Sequence, residues 1–200
     1  MKSPLMAALV RLATGATARW LGCGPALCQR IYFANHTSHL DTLVLWAVLP
    51  TAVREHTRPI AARDYWDANA LRRCVAQSLF HAVLVDRKRI CAHDHPVGHM
   101  AEALGTSNSI ILFPEGERTP GPVVASFKSG IWHLARQRPD VELVPVYLAN
   151  LNQILPKGEF LPVPLLCRAT FGQPIHLHAG EDKHDFLHRT RDALDQLRHT

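Results

Sequence analysis

The chain has 200 residues, 47% of them hydrophobic and 20% charged. This is the composition of one globular domain with a full core, and it excludes a disordered, collagen-like or coiled-coil protein. A net charge of +5 favours anionic partners, whereas 7% aromatic residues leave few platforms for stacking single-stranded nucleic acid.

Leu5, Leu9, Leu12, Ala16 and Trp20 recur at helical spacing, with Lys2, Arg11 and Arg19 beside them. Two readings stand: a helix packed on the domain, or an amphipathic helix lying in a membrane surface. Arg11 cuts the apolar stretch too short for a secretory signal. No run reaches the ~18–20 apolar residues that span a bilayer. Residues 1–28 are therefore set apart from a domain over 29–200. After the Gly22–Pro25 break, Arg30–Ala34 reads as a strand and 38–49 as a helix stopped by Pro50. Short strands are expected at 60–62, 82–85, 109–113, 142–148 and 168–171. Helices are expected at 68–79, 96–104, 126–136 and 183–197. Strands alternating with helices imply an α/β fold: one domain, a central mixed sheet flanked by helices, and an N-terminal amphipathic helix. The five cysteines are odd in number and form no C-x-x-C, which points to free thiols in a reducing compartment.

Two segments carry chemistry. In Asn35-His36-Thr37-Ser38-His39-Leu40-Asp41 a strand ends and a helix begins. Ser38 is a candidate N-cap, with Asp41 three residues on. The same turn can fold Asp41 back onto the His36 ring, fixing one ring nitrogen and leaving the other to take a proton. An ordinary capping box beside a chance histidine gives the same spacing. The second segment, 110–118, runs an apolar strand into Phe113-Pro114-Glu115-Gly116-Glu117-Arg118. Strand C-termini are where open α/β sheets place ligands, and Arg118 offers a fork of donors to a phosphate. A charged surface turn after a strand is the plainer alternative.

The two segments together, N-H-x-x-x-x-D followed by F-P-E-G-x-R, resemble the glycerophospholipid acyltransferase family, of the 1-acyl-sn-glycerol-3-phosphate acyltransferase type. Val83-Leu84-Val85-Asp86-Arg87, Phe127-Lys128-Ser129-Gly130, Val144-Pro145-Val146 and Phe171-Gly172-Gln173-Pro174-Ile175 resemble further blocks of that family in the same order. The resemblance covers about residues 30 to 176. It implies that His36 is the general base and Asp41 its orienting partner. It implies that Arg87, Glu115, Gly116 and Arg118, with Lys128, hold the glycerol-phosphate acceptor, and that Pro145 shapes the wall of the acyl-donor site. One departure stands out: Glu117 occupies a position where family members often have Thr, which bears on the identity of the acceptor.

The implied reaction moves a fatty acyl group from acyl-CoA or acyl carrier protein to the free hydroxyl of a lysophospholipid, first among them 1-acyl-sn-glycerol 3-phosphate, to give phosphatidic acid. It needs no cofactor, no metal and no Ser or Cys nucleophile. The implied setting is peripheral, on an anionic membrane at the cytoplasmic face of the inner membrane, with no nucleic-acid partner. The alternatives are another acceptor, such as a lyso-ornithine lipid, or a non-catalytic lipid-binding module. Outside these blocks, His93-Asp94-His95 with His99 offers spacing for a metal or a solvated loop. Arg72-Arg73 and Arg87-Lys88-Arg89 offer a solvated face or a contact with anionic lipid.

Overall fold

In the computed structural model, residues 4–62, 82–85, 96–119, 121, 123–151 and 166–200 are described. The apolar runs read above become the strands of one sheet. Helix α1 (Pro4–Thr14) starts on a proline, whose missing N–H costs nothing at a helix's first position. It stops where Gly15 takes a positive φ of 59°. In chain order there follow β1 (Thr17–Trp20), β2 (Arg30–Ala34), α2 (Asp41–Val48), α3 (Thr51–Glu55), β3 (Thr57–Ala62) and β4 (Val83–Val85). Then come α4 (Pro96–Leu104), β5 (Ser109–Leu112), α5 (Gly130–Gln137), β6 (Glu142–Ala149), β7 (Arg168–Phe171) and α6 (Lys183–Gln196), closed by a 3₁₀ turn at Leu197–His199.

The strand order is β1-β7-β6-β2-β5-β3-β4. Strands β2 to β6 run parallel; β7 is antiparallel to β6, and β1 is parallel to β7. The sheet is mixed, as expected. Strand β2 lies between β5 and β6 and is buried along its whole length. That is why it reads as an unbroken apolar run. Alternate residues serve two cores. Tyr32, Ala34, Val144 and Val146 face α1 and α2; Ile31, Phe33, Leu143 and Tyr147 face α4, α5 and α6. Asn35 ends the strand on a side-chain clamp. Its amide donates to the Leu148 carbonyl (3.1 Å) and its carbonyl accepts from the Leu148 N–H (2.7 Å). The C-terminal ends of β2 and β6 are thereby pinned together.

Three expectations change. The periodic stretch through Trp20 is not one helix: it breaks at Gly15, and residues 17–20 form the edge strand β1, with Trp20 stacked on Phe171 (3.8 Å between centroids). The helix expected from 38 starts at Asp41, because residues 38–40 are a turn held by the Asp41 side chain. The helix expected from 126 starts at Gly130, since the stretch before it is tied instead to residues 114 and 115 through the Lys128 and Ala125 amides. Helix α3 is too short to show a period. The expected helix over 68–79 lies outside the described residues.

Strand β7 runs into Gly172, whose N–H donates to the Pro145 carbonyl (2.9 Å). A Cβ there would stand 3.0 Å from Pro145 Cγ and 3.0 Å from Leu197 Cδ1. The proline ring cannot swing aside, so Gly172→Ala should destabilise the chain by about 1–3 kcal/mol, read from the urea midpoint at unchanged m-value.

Candidate active site

The strand-to-helix turn after β2 is organised around one buried oxygen. Asp41 Oδ2 accepts the Thr37 N–H (2.6 Å), the Ser38 N–H (2.8 Å) and His36 Nδ1–H (2.8 Å). The carboxylate thus caps the turn and orients the histidine at once. Ser38, the expected N-cap, instead accepts only the Leu40 N–H through its hydroxyl (3.2 Å). Asp41 is fully buried, while the His36 side chain keeps 21% of its surface open. The ring lies on Phe113, 4.3 Å between centroids and 24° from parallel. With Nδ1 donating to a carboxylate, the neutral ring must leave Nε2 as its acceptor, and among the described residues nothing bonds to it. The pair therefore has the geometry of a general base with its tautomer fixed.

Strand β5 delivers the second segment alongside. Phe113 follows the strand, and the chain turns at Gly116, whose φ is 77°. A Cβ on Gly116 would meet the flexible Lys128 side chain at 3.3 Å, so it is the positive φ rather than the space that calls for glycine. The loop is sewn to the His36 main chain. Glu115 Oε1 accepts the His36 N–H (2.7 Å), and the Thr119 N–H donates to the His36 carbonyl (2.9 Å). Glu115 Oε2 accepts the Ala125 N–H (3.0 Å), and the Lys128 N–H donates to the Pro114 carbonyl (2.8 Å). Arg118 and Glu117 are exposed, and the Arg118 guanidinium touches His39 Nε2. His39 was not singled out by sequence; its signal was the spacing of three residues from His36.

The structure therefore brings His36, Asp41, Glu115, Gly116, Arg118 and Lys128 together at the C-terminal ends of the central strands β2 and β5. Pro145 is elsewhere. It sits within β6 opposite Phe33, and its side chain packs against Gly172 and Leu197, on the sheet face that carries α5 and α6. Arg87 lies outside the described residues, as do His93, Asp94, His95 and the basic clusters. His99 lies on α4 with Glu102 3.7 Å away, and among the described residues no three metal-ligating side chains converge. Burial pushes the Cys167 thiol up to about 11, and the Asp41 charge pushes it the same way. That thiol stays protonated at neutral pH and is no nucleophile.

Residues 26–149 match the family model described as Acyltransferase, which is more than half of the chain. This chain belongs to that acyltransferase family. It is 32% identical over 131 residues to 1-acyl-sn-glycerol-3-phosphate acyltransferase alpha of Ovis aries, covering 64% of this chain and 43% of the relative. It is 28% identical over 149 residues to a 1-acyl-sn-glycerol-3-phosphate acyltransferase of Limnanthes alba, covering 74% and 50%. The chain thus spans half or less of the length of these curated relatives. The crystal structure of the 1-acyl-sn-glycerophosphate (LPA) acyltransferase PlsC from Thermotoga maritima superposes with a TM-score of 0.76 at 18% identity, over 98% of this chain and 77% of that one. At that identity the likeness establishes a shared acyltransferase fold.

Asp41 Oδ2 gathers three donors in the interior. Asp41→Ala would leave the Thr37 and Ser38 amides unpaired, and should cost about 1–3 kcal/mol by denaturant unfolding. Asp41→Asn can keep an oxygen in place, so it should fold closer to wild type; any loss of turnover then reads on the charge and tautomer of His36.

Proposed function

We propose that this chain transfers a fatty acyl group from acyl-CoA or acyl carrier protein to the free hydroxyl of a lysophospholipid, with 1-acyl-sn-glycerol 3-phosphate as the acceptor and phosphatidic acid as the product. The observation that carries this reading is the His36–Asp41 pair, with Nε2 open at the C-terminal ends of the central strands, where the loop bearing Arg118 also leaves the sheet. The names of the relatives give the same substrate class.

An acyl thioester is already activated, so catalysis needs a nucleophile and a position. Nε2 of His36 takes the acceptor hydroxyl proton as the oxygen attacks the thioester carbon. The thiolate leaves and is protonated. Asp41 stabilises the imidazolium between the two steps. Base catalysis of this kind supplies about 10²–10⁴-fold. Arg118, with Lys128 across Gly116, presents donors for the acceptor phosphate, and Arg87 is assigned to the same phosphate on the resemblance alone. Glu117 is exposed beside them, and its carboxylate disfavours a second negative charge at that rim.

The acceptor is an amphiphile, so the site must work at a lipid surface. Leu5, Leu9 and Leu12 are 67%, 51% and 83% exposed on α1, while Ala7 and Thr14 are buried and Met6 and Val10 pack on the core. Leu166, 74% exposed, precedes Cys167, whose N–H donates to the Thr14 carbonyl at the C-terminal end of α1 (3.3 Å). Among the described residues no helix is long and apolar enough to cross a membrane. We assign this leucine face, with Arg11 beside it, to the membrane surface. Trp20 and Arg19 are drawn into the fold instead, Trp20 onto Phe171 and Arg19 onto the Thr200 carbonyl.

Thiol release from one acyl-CoA, scored across lysophospholipids, tests the reaction. Lysophosphatidate should be the best acceptor. Folded His36→Ala should lose at least ~10²-fold in turnover, and Arg118→Ala should raise the acceptor KM. Near-normal turnover without the imidazole would sink the mechanism. A KM change confined to the donor would remove Arg118 from the acceptor.

Vesicle co-sedimentation tests the surface. Because residues 17–20 belong to the sheet, the variant is Leu5→Ser, Leu9→Ser and Leu12→Ser together rather than a deletion. The triple change should weaken binding to anionic vesicles at least about tenfold, with part of the remaining binding salt-sensitive. Equal binding by both forms would show that this face does not meet lipid.

A further inference from the structure

The resemblance places Glu115 among the groups that hold the acceptor, but its burial and its contacts turn it toward the main chain instead. The side chain is buried, with the residue 5% exposed. Its two oxygens each accept a main-chain N–H, one from His36 at 2.7 Å and one from Ala125 at 3.0 Å. An acceptor phosphate would be repelled by the carboxylate. Each oxygen keeps a lone pair, but the buried side chain offers little surface through which an acceptor hydroxyl could reach it.

We infer that Glu115 is a positioning residue: it fixes the main chain of His36 and thereby the direction of Nε2, and it does not contact the acceptor. This rests on the acyl-transfer reading for its kinetic consequence, though not for its geometry. The clamp joins three segments: the exit of β2, the exit of β5 79 residues later, and the strap leading to α5. The same loop returns to accept control of the other side of His36, where the Thr119 N–H holds the His36 carbonyl at 2.9 Å. The base is therefore held at its amide, its carbonyl and its Nδ1, and Arg118 rides on the loop that supplies two of those three bonds. A displacement of about 1 Å at a reacting group can cost 10²-fold, so a carboxylate that touches no substrate can still govern the rate.

Two substitutions test this. Glu115→Gln turns one oxygen into an N–H₂ that faces a main-chain donor, and so deletes one arm of the clamp. Glu115→Asp keeps the charge but is one methylene too short to span both amides. In thiol-release kinetics with acyl-CoA and lysophosphatidate, both should lower kcat by at least about tenfold while the acceptor KM stays within about twofold. Amide hydrogen exchange should accelerate at one of the His36 and Ala125 amides in Glu115→Gln and at one or both in Glu115→Asp, and the Leu148 amide, held by Asn35, should not change. In the wild type the two clamped amides should stay protected at saturating lysophosphatidate, a measurement that needs no variant to fold. A tenfold rise in acceptor KM with kcat retained, or loss of amide protection on adding lysophosphatidate, would return Glu115 to the acceptor site and overturn the inference. If wild-type protein releases no thiol with any acceptor, the acyl-transfer reading fails on its own. The exchange of the His36 and Ala125 amides in the variants then still decides whether the clamp exists.

Discussion

Three N–H groups converge on Asp41 Oδ2 in the interior, and much of the site's arrangement follows from that oxygen. A buried carboxylate is tolerated only where donors replace the water it has lost. Here two of the donors are consecutive main-chain amides, so the turn from β2 to α2 has little freedom once Asp41 is in place. The third donor is the His36 ring. The same bonds that satisfy the buried oxygen therefore choose the tautomer and aim the open nitrogen outward. The turn's cap and the histidine–carboxylate pair are one structure, built on a single oxygen.

Much of the fold was legible in the chain. Arg30–Ala34, Pro96–Leu104 and Arg168–Phe171 lie where periodicity and composition placed them, because buried strands and a one-sided helix leave strong apolar patterns. Residues 17–20 misled, since Thr17-Ala18-Arg19-Trp20 continues a helical spacing while Gly15 has already reversed the backbone. The strand there exists because β7 offers it an edge, which is a long-range fact. The stretch 126–129 misled for a related reason. The Lys128 amide is claimed by Pro114 and the Ala125 amide just before it by Glu115, and local helix propensity cannot register that competition.

The site was legible in its residue types but less so in their division of labour. Motif spacing put His36 with Asp41, and Gly116 with Arg118, at the exits of two strands. It could not show that Glu115 has both oxygens on main-chain amides, or that the Pro145 side chain lies on the face with Gly172 and Leu197. The parity of β6 decides the latter: Leu143, Pro145 and Tyr147 alternate with Val144 and Val146, and only the latter pair shares a core with α2. Strand periodicity gives that alternation, yet which parity faces the site depends on which helices cover each face.

The edge strand β1 has a consequence for how the molecule comes into being. Its partner β7 is separated from it by 150 residues, as measured between Thr17 and Cys167. During synthesis the early segment emerges long before the strand that will receive it, and closing so distant a pairing is entropically slow. For that interval Trp20 has no Phe171 to stack on, and the leucines of α1 are joined by apolar surface that the finished sheet later covers. A nascent chain in this condition is at its most adhesive, and an early encounter with a chaperone or a lipid surface would shield it until β7 arrives.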